Sequence, residues 1–191
     1  MANLTDLKNG VRVEGSARKL TAKRLERECQ LISGVFFDLP QEYELFLLKH
    51  NGGKPSPACF VFKNANREKV LNWVDRFFPV TSSNIDSLNL RGANQFIASL
   101  ALHTGVPYDC ITIGGAGGGS DHILLFVRGK KRGQVWLKVW DEVNDDPDPD
   151  RDTNPKEGLY RLAMSFDKFL QSLCSEEEAE KRIARREGKL T

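Results

Sequence analysis

This chain is poor in the residues that carry chemistry. Among 191 residues there are three histidines and four cysteines, and neither type clusters. His50, His103 and His122 have no HExxH-like or other metal-ligand spacing. No cysteine sits in a known catalytic signature, and no GxSxG nucleophile elbow is present. The glycine run at 114–119 lacks the GK[ST] ending of a phosphate-binding loop and leads into an apolar strand, so it reads as a turn. An enzyme is therefore disfavoured, and no metal or cofactor is expected. Cys29, Cys59, Cys110 and Cys174 are far apart and form no CxxC, which predicts buried free thiols. The N-terminal stretch has no apolar leader, and uninterrupted apolar runs extend only a few residues. Both absences point to a soluble protein of the cytoplasm. Net charge is scarce too: 28 basic against 26 acidic residues leave +2, which gives no global reason to expect nucleic-acid or membrane binding.

What is present supports a packed core. Hydrophobic residues make up 40% of the chain, with eleven Phe and three Trp. The length fits one domain plus tails, of a size that buries roughly 70% of its unfolded surface. Residues 1–19 are polar and basic and read as an N-terminal arm; 20–174 read as the domain and 175–191 as a polar C-terminal helix. Thr21 is a candidate cap for a helix carrying Leu25, Cys29 and Ile32. Leu39-Pro40 opens a second helix whose apolar stripe is Tyr43, Phe46, Leu47 and His50, and Asn51-Gly52-Gly53 stops it. Residues 58–63 read as a strand. The segment 69–80 fits helix or strand, with strand preferred. A helix is expected over 88–102, strands over 110–113, 122–127 and 134–140, and a basic hairpin connection over 128–133. Residues 158–174 read as a helix with a break at Ser165, and Ser175 with Glu178 reads as a capping box for the last helix.

The order of these signals resembles a known family. Leu39-Pro40-x-x-Tyr43-x-x-Phe46-Leu47-x-x-x-Asn51-Gly52-Gly53 resembles the LPxxYxxFLxxxNGG signature of the SUKH superfamily, the Smi/Knr-like proteins. Ile111 to Leu125 resembles its unit of apolar strand, glycine turn and strand. Leu162-Ala163-x-Ser165-Phe166-x-x-Phe169-Leu170 resembles its closing helix. The chain departs from the pattern in a longer glycine turn and in a poor match over 63–107. The resemblance implies a single-domain α+β fold, a mixed or antiparallel sheet backed by helices. It also implies a non-catalytic protein that binds another protein. Many bacterial members are immunity proteins that neutralise a cognate toxin, often a nuclease, and eukaryotic relatives are regulators of cell-wall synthesis and signalling.

The candidate contact site is an acidic run. Asp141, Glu142, Asp145, Asp146, Asp148, Asp150 and Asp152 place seven acids in twelve residues against Arg151 alone, so this stretch carries −6 and the rest of the chain +8. Such a run could mimic a phosphate backbone in the basic cleft of a nuclease. The same residues approximate a calcium loop from Asp146 to Glu157. Arg151 stands where glycine is needed, however, and Pro147, Pro149 and Pro155 interrupt the loop, which argues against calcium. Basic clusters at Arg18–Arg27 and Arg128–Arg132 have no interleaved aromatics, so direct nucleic-acid binding is not expected. Two roles follow: inhibition of a toxin, or a regulatory interaction module with no toxin partner.

Overall fold

The computed structural model describes residues 10–33, 38–81, 89–95, 107–140 and 158–185. Two sheets organise them. The strands β1 (Arg12–Glu14) and β2 (Lys54–Ser56) pair antiparallel as a small ribbon. The strands β3 (Cys59–Lys63), β4 (Lys69–Phe77), β5 (Cys110–Ala116), β6 (Asp121–Phe126), β7 (Val135–Lys138) and β8 (Leu159–Ala163) form a six-stranded antiparallel meander in chain order. The helices are α1 (Ala22–Ser33), α2 (Gln41–His50), α3, described over 90–95, α4 (Phe166–Ser172) and α5 (Glu176–Ala184). The fold is α+β, as the residue pattern and the resemblance imply.

Helix α2 is placed by both of its ends. Pro40, with φ −55° and ψ 131°, stands just before it, and its carbonyl accepts from Tyr43 N and Glu44 N at 3.0 Å each. At the other end Asn51 is left-handed, with φ 49°, and its N–H donates to Leu47 O. The helix thus presents Tyr43, Phe46, Leu47 and His50 to the core. Ser165 caps α4, its hydroxyl accepting from Lys168 N at 3.3 Å, and so delivers Phe166, Phe169 and Leu170 to the same core. The two motif segments meet there. Phe166 lies edge-on to Tyr43 at 4.9 Å and to Phe46 at 5.1 Å, and Phe46 meets Phe77 of β4 at 5.1 Å. Phe169 packs on Phe60 of β3. Aromatic pairs in this geometry contribute about 0.5–1.5 kcal/mol each beyond the area they bury.

The sheet curls around this cluster until its outermost strands touch. Phe62 of β3 packs on Tyr160 of β8 at 5.2 Å, and Ala65 N donates to the Tyr160 hydroxyl. Two asparagines complete the backbone pairing where strands part. Asn94 accepts from Thr112 N and donates to Thr112 O, both at 2.8 Å, standing in for a neighbouring strand beside β5. Asn51 does the same for Val80, accepting from its N–H at 2.8 Å and donating to its carbonyl at 3.2 Å, while also donating to Arg18 O.

Several expectations need correcting. Part of the basic N-terminal arm is structured: Arg12–Glu14 is strand β1, and Val11, Val13 and Leu20 are buried. The polar residues between them conceal an alternation whose backbone partner is Lys54–Ser56. The stretch read as helix from 158 begins instead as strand β8, paired with β7, and only the part after Ser165 is helical. The segment 69–77, whose spacing fits either element, is a strand, as preferred. Its helix-like spacing of Val74 and Phe77 arises from an irregularity between Val74 and Arg76, which lets both point inward. Residues 114–116 belong to β5, so the glycine turn is confined to Gly117–Gly119. The remaining turns of the helix expected over 88–102, and the whole acidic run, lie outside the described residues.

Gly52 and Gly53 are set by crowding as well as by positive φ. A Cβ on Gly52 would lie 2.7 Å from Pro79 N and 2.8 Å from Phe77 O, and one on Gly53 would lie 2.7 Å from Glu14 O. Gly118 has a similar φ of +75° but open space around it. Gly118→Ala should therefore cost only the left-handed strain, about 1 kcal/mol, whereas Gly52→Ala should cost about 3 kcal/mol or more. Urea unfolding of the two variants measures the difference. Equal losses would mean that backbone strain alone sets the glycine requirement.

Candidate functional site

With α2 and α4 on the inner face, the outer face of β5–β8 is the surface on which side chains gather apart from the main core. Leu124 of β6 lies at its centre, fully buried, with Cys110, Trp136, Trp140 and Leu159 packed against it. At one end Trp140 Nε1 donates to His122 Nδ1 at 2.6 Å, with the rings perpendicular, and Lys138 Nζ lies 5.5 Å from the Trp140 ring. Lys138 is only 1% exposed. At the other end Lys131 Nζ stands 4.3 Å from the Trp136 ring and 5.0 Å from that of Phe126. Lysine side chains thus stand against aromatic rings at both ends of this face.

Neighbouring features serve the fold. The glycine turn does not cradle a phosphate, because its N–H groups are taken by the chain's own carboxylate. Asp75 accepts from Gly119 N at 2.7 Å and Gly118 N at 3.3 Å, and also from Trp73 Nε1. Trp73 beside it remains 44% exposed. Asp121 and His122 point to opposite faces of β6, as adjacent strand residues must. Asp121 accepts from Asn72 Nδ2 at 2.8 Å on one side while His122 meets Trp140 on the other. They form no proton-transfer pair. In the basic connection after β6, Arg132 donates to Asp38 O and Leu39 O and so fixes the entry to α2, and Lys131 covers Trp136. This connection includes structural contacts as well as solvated charge.

The residues singled out by sequence divide cleanly. Leu39, Tyr43, Phe46, Leu47, Phe166, Phe169 and Leu170 are buried core, Ser165 is a helix cap, and Pro40 and Asn51-Gly52-Gly53 shape the backbone. Asp141, Glu142, Asp145, Asp146, Asp148, Asp150 and Asp152 lie outside the described residues. Among the described residues no group of three His, Cys, Asp or Glu side chains could hold a metal ion, and no helix is long and apolar enough to cross a membrane. Sequence reading missed the Trp136–Lys131 and His122–Trp140 contacts. The available signal was the alternation in β7, which places Trp136 and Lys138 on the face opposite Val135 and Leu137.

His122 gives this face a pH signature. Burial lowers its pKa from 6.5 to about 4, and its Nδ1 can accept from Trp140 only while unprotonated. Unfolded chain therefore binds the proton first, so stability is unaffected above pH 6.5 and falls as pH drops from there towards 4. His122→Asn keeps an acceptor without the titration. Its stability relative to the parent should improve by about 2 kcal/mol between pH 7 and pH 4.5. Denaturant midpoints at the two pH values test this; a gap that stays constant would remove His122 from the acid response.

The SMI1 / KNR4 family (SUKH-1) model matches residues 33–172, a range that begins at the end of α1 and closes with α4. No curated protein shows significant similarity to the chain. The matched range contains the α2 motif, the whole meander and the α4 motif whose side chains meet in the core. This chain belongs to the SMI1 / KNR4 family (SUKH-1).

Proposed function

We propose that this chain is an immunity-type protein of the cytoplasm that binds a cognate toxin protein and blocks its active site or substrate groove without catalysing a reaction. Family membership carries the reading. It is supported by the concentration of seven acids within residues 141–152, which would match the basic groove of a nuclease toxin. Exposed Trp73 and the Lys131–Trp136 surface supply the kind of aromatic and cationic side chains that anchor protein contacts. A regulatory role without a toxin is the second reading. It is favoured by α5, which lies beyond the matched range and packs on β3 and β4 as an added surface.

The deciding experiment mixes the full chain with the toxin encoded next to its gene and measures complex formation and toxin activity. A stoichiometric complex that abolishes toxicity supports inhibition; neither complex nor protection would sink it and leave the regulatory reading. Replacing the seven acids by Asn and Gln should slow association about 10-fold or more at low ionic strength, with the difference fading at high salt. An unchanged on-rate would place the contact elsewhere.

A further inference from the structure

Cys59 opens β3, and Cys174 occupies the corner between α4 and α5, 115 positions later. The two residues form an isolated antiparallel bridge. Cys59 N donates to Cys174 O at 3.1 Å, and Cys174 N donates to Cys59 O at 2.8 Å. Residues that exchange both backbone bonds sit directly opposite one another, with Cα atoms about 5.5 Å apart and side chains on the same side. That separation falls within the ~4.4–6.8 Å range spanned by disulfides. Both thiols are free, and Cys174 Sγ lies 3.6 Å from Cys59 O, so closure requires a change of χ1 together with a small approach of the two backbones that brings the Cβ atoms to within about 4.5 Å.

We infer that Cys59 and Cys174 are a disulfide-forming pair whose closure fastens the α4–α5 corner to the edge of β3. The inference is independent of the proposed toxin partner.

At the corner Leu173 is buried in the core, and beyond it α5 is held largely by polar contacts. Lys69 Nζ donates to the carbonyls of Arg182 and Ile183, Arg182 donates to Ser172 O at 2.9 Å, and Ala179 is the fully buried side chain of α5. Ser175, the cap of α5, directly follows Cys174, so a covalent tie at Cys174 anchors the root of the helix. A peroxide supplies the oxidising equivalents. The thiolate of Cys59, the more exposed of the two, attacks one peroxide oxygen; an S–O bond forms, the O–O bond breaks and hydroxide leaves. The Cys174 sulfur then attacks the Cys59 sulfur, the S–O bond breaks, and the departing hydroxide takes up the thiol proton as water. Two electrons pass from the sulfurs to the peroxide. Burial raises the pKa of both thiols, while Arg182 partly offsets this at Cys174, so the thiolate fraction is small and closure is slow.

The test uses the full chain, fully reduced and then exposed to hydrogen peroxide, with free thiols alkylated before digestion without reductant. The expected product is the Cys59 peptide joined to the Cys174 peptide, about 2 Da lighter than their sum, and reversible by dithiothreitol. Closing so long a loop should raise Tm by roughly 5–10 °C. Cys29→Ser with Cys110→Ser should keep this rise, and Cys59→Ser or Cys174→Ser should abolish it. Four alkylatable thiols after prolonged peroxide exposure, or a crosslink through Cys29 or Cys110, would overturn the inference. The peptide map of the unmodified sequence decides the matter even if a variant fails to fold.

Discussion

The junction at Asn51-Gly52-Gly53 is the constraint on which the rest of the structure depends. Here the end of α2, the ribbon strand β1 and the far end of β4 come within backbone contact. Phe77 exchanges both backbone hydrogen bonds with Gly53, and the Asn51 amide binds the N–H and carbonyl of Val80. A side chain at either glycine would collide with main-chain atoms of another segment. Close approach of this kind leaves buried peptide groups no route to water, so each must find a partner within the junction. The motif is thus more than a helix stop. It fixes the angle at which α2 crosses the sheet, and with it the position of Tyr43 and Phe46 against Phe77 and Phe166.

Much of this fold was legible in the residues, for identifiable reasons. Helix α2 carries its start, its apolar stripe and its stop within a dozen positions, so local and tertiary signals agree. Strand β7 alternates apolar residues in the ordinary way, while β5 and β6 are short apolar runs bounded by turn signals. The strands β1, β4 and β8 are harder to read, each for its own reason. The strand β1 looks polar because its outward residues are Arg12 and Glu14, and its partner contains Pro55, which can donate no hydrogen bond. In β4, where strand is preferred and is found, the irregularity at Asp75 turns a two-residue period into a three-residue one and so makes a helix fit as well. Residues of β8 are half-buried on both faces, which erases alternation and leaves a spacing that also suits a helix.

The surface was less legible than the core. His122 and Trp140 are eighteen positions apart, and the pairing that joins them depends on the register of β6 with β7. Lys131 and Arg132 look alike in a basic run, yet one stacks on Trp136 and the other grips the carbonyls before α2. The glycine turn shows the same limit from the other side: its phosphate-like partner is Asp75, over forty positions away in sequence. Composition located these charges but could not assign their partners.

The meeting of β3 with β8 bears on solubility. Outermost strands usually offer unpaired amides to any other extended chain, and proteins avoid fibrous growth by hiding or interrupting them. Here curvature draws those two borders together through Phe62, Tyr160 and Ala65, and Cys174 occupies the rim of β3 at Cys59. Strand-by-strand accretion of further copies is thereby discouraged, and recognition is left to side chains, which can tell one neighbour from another.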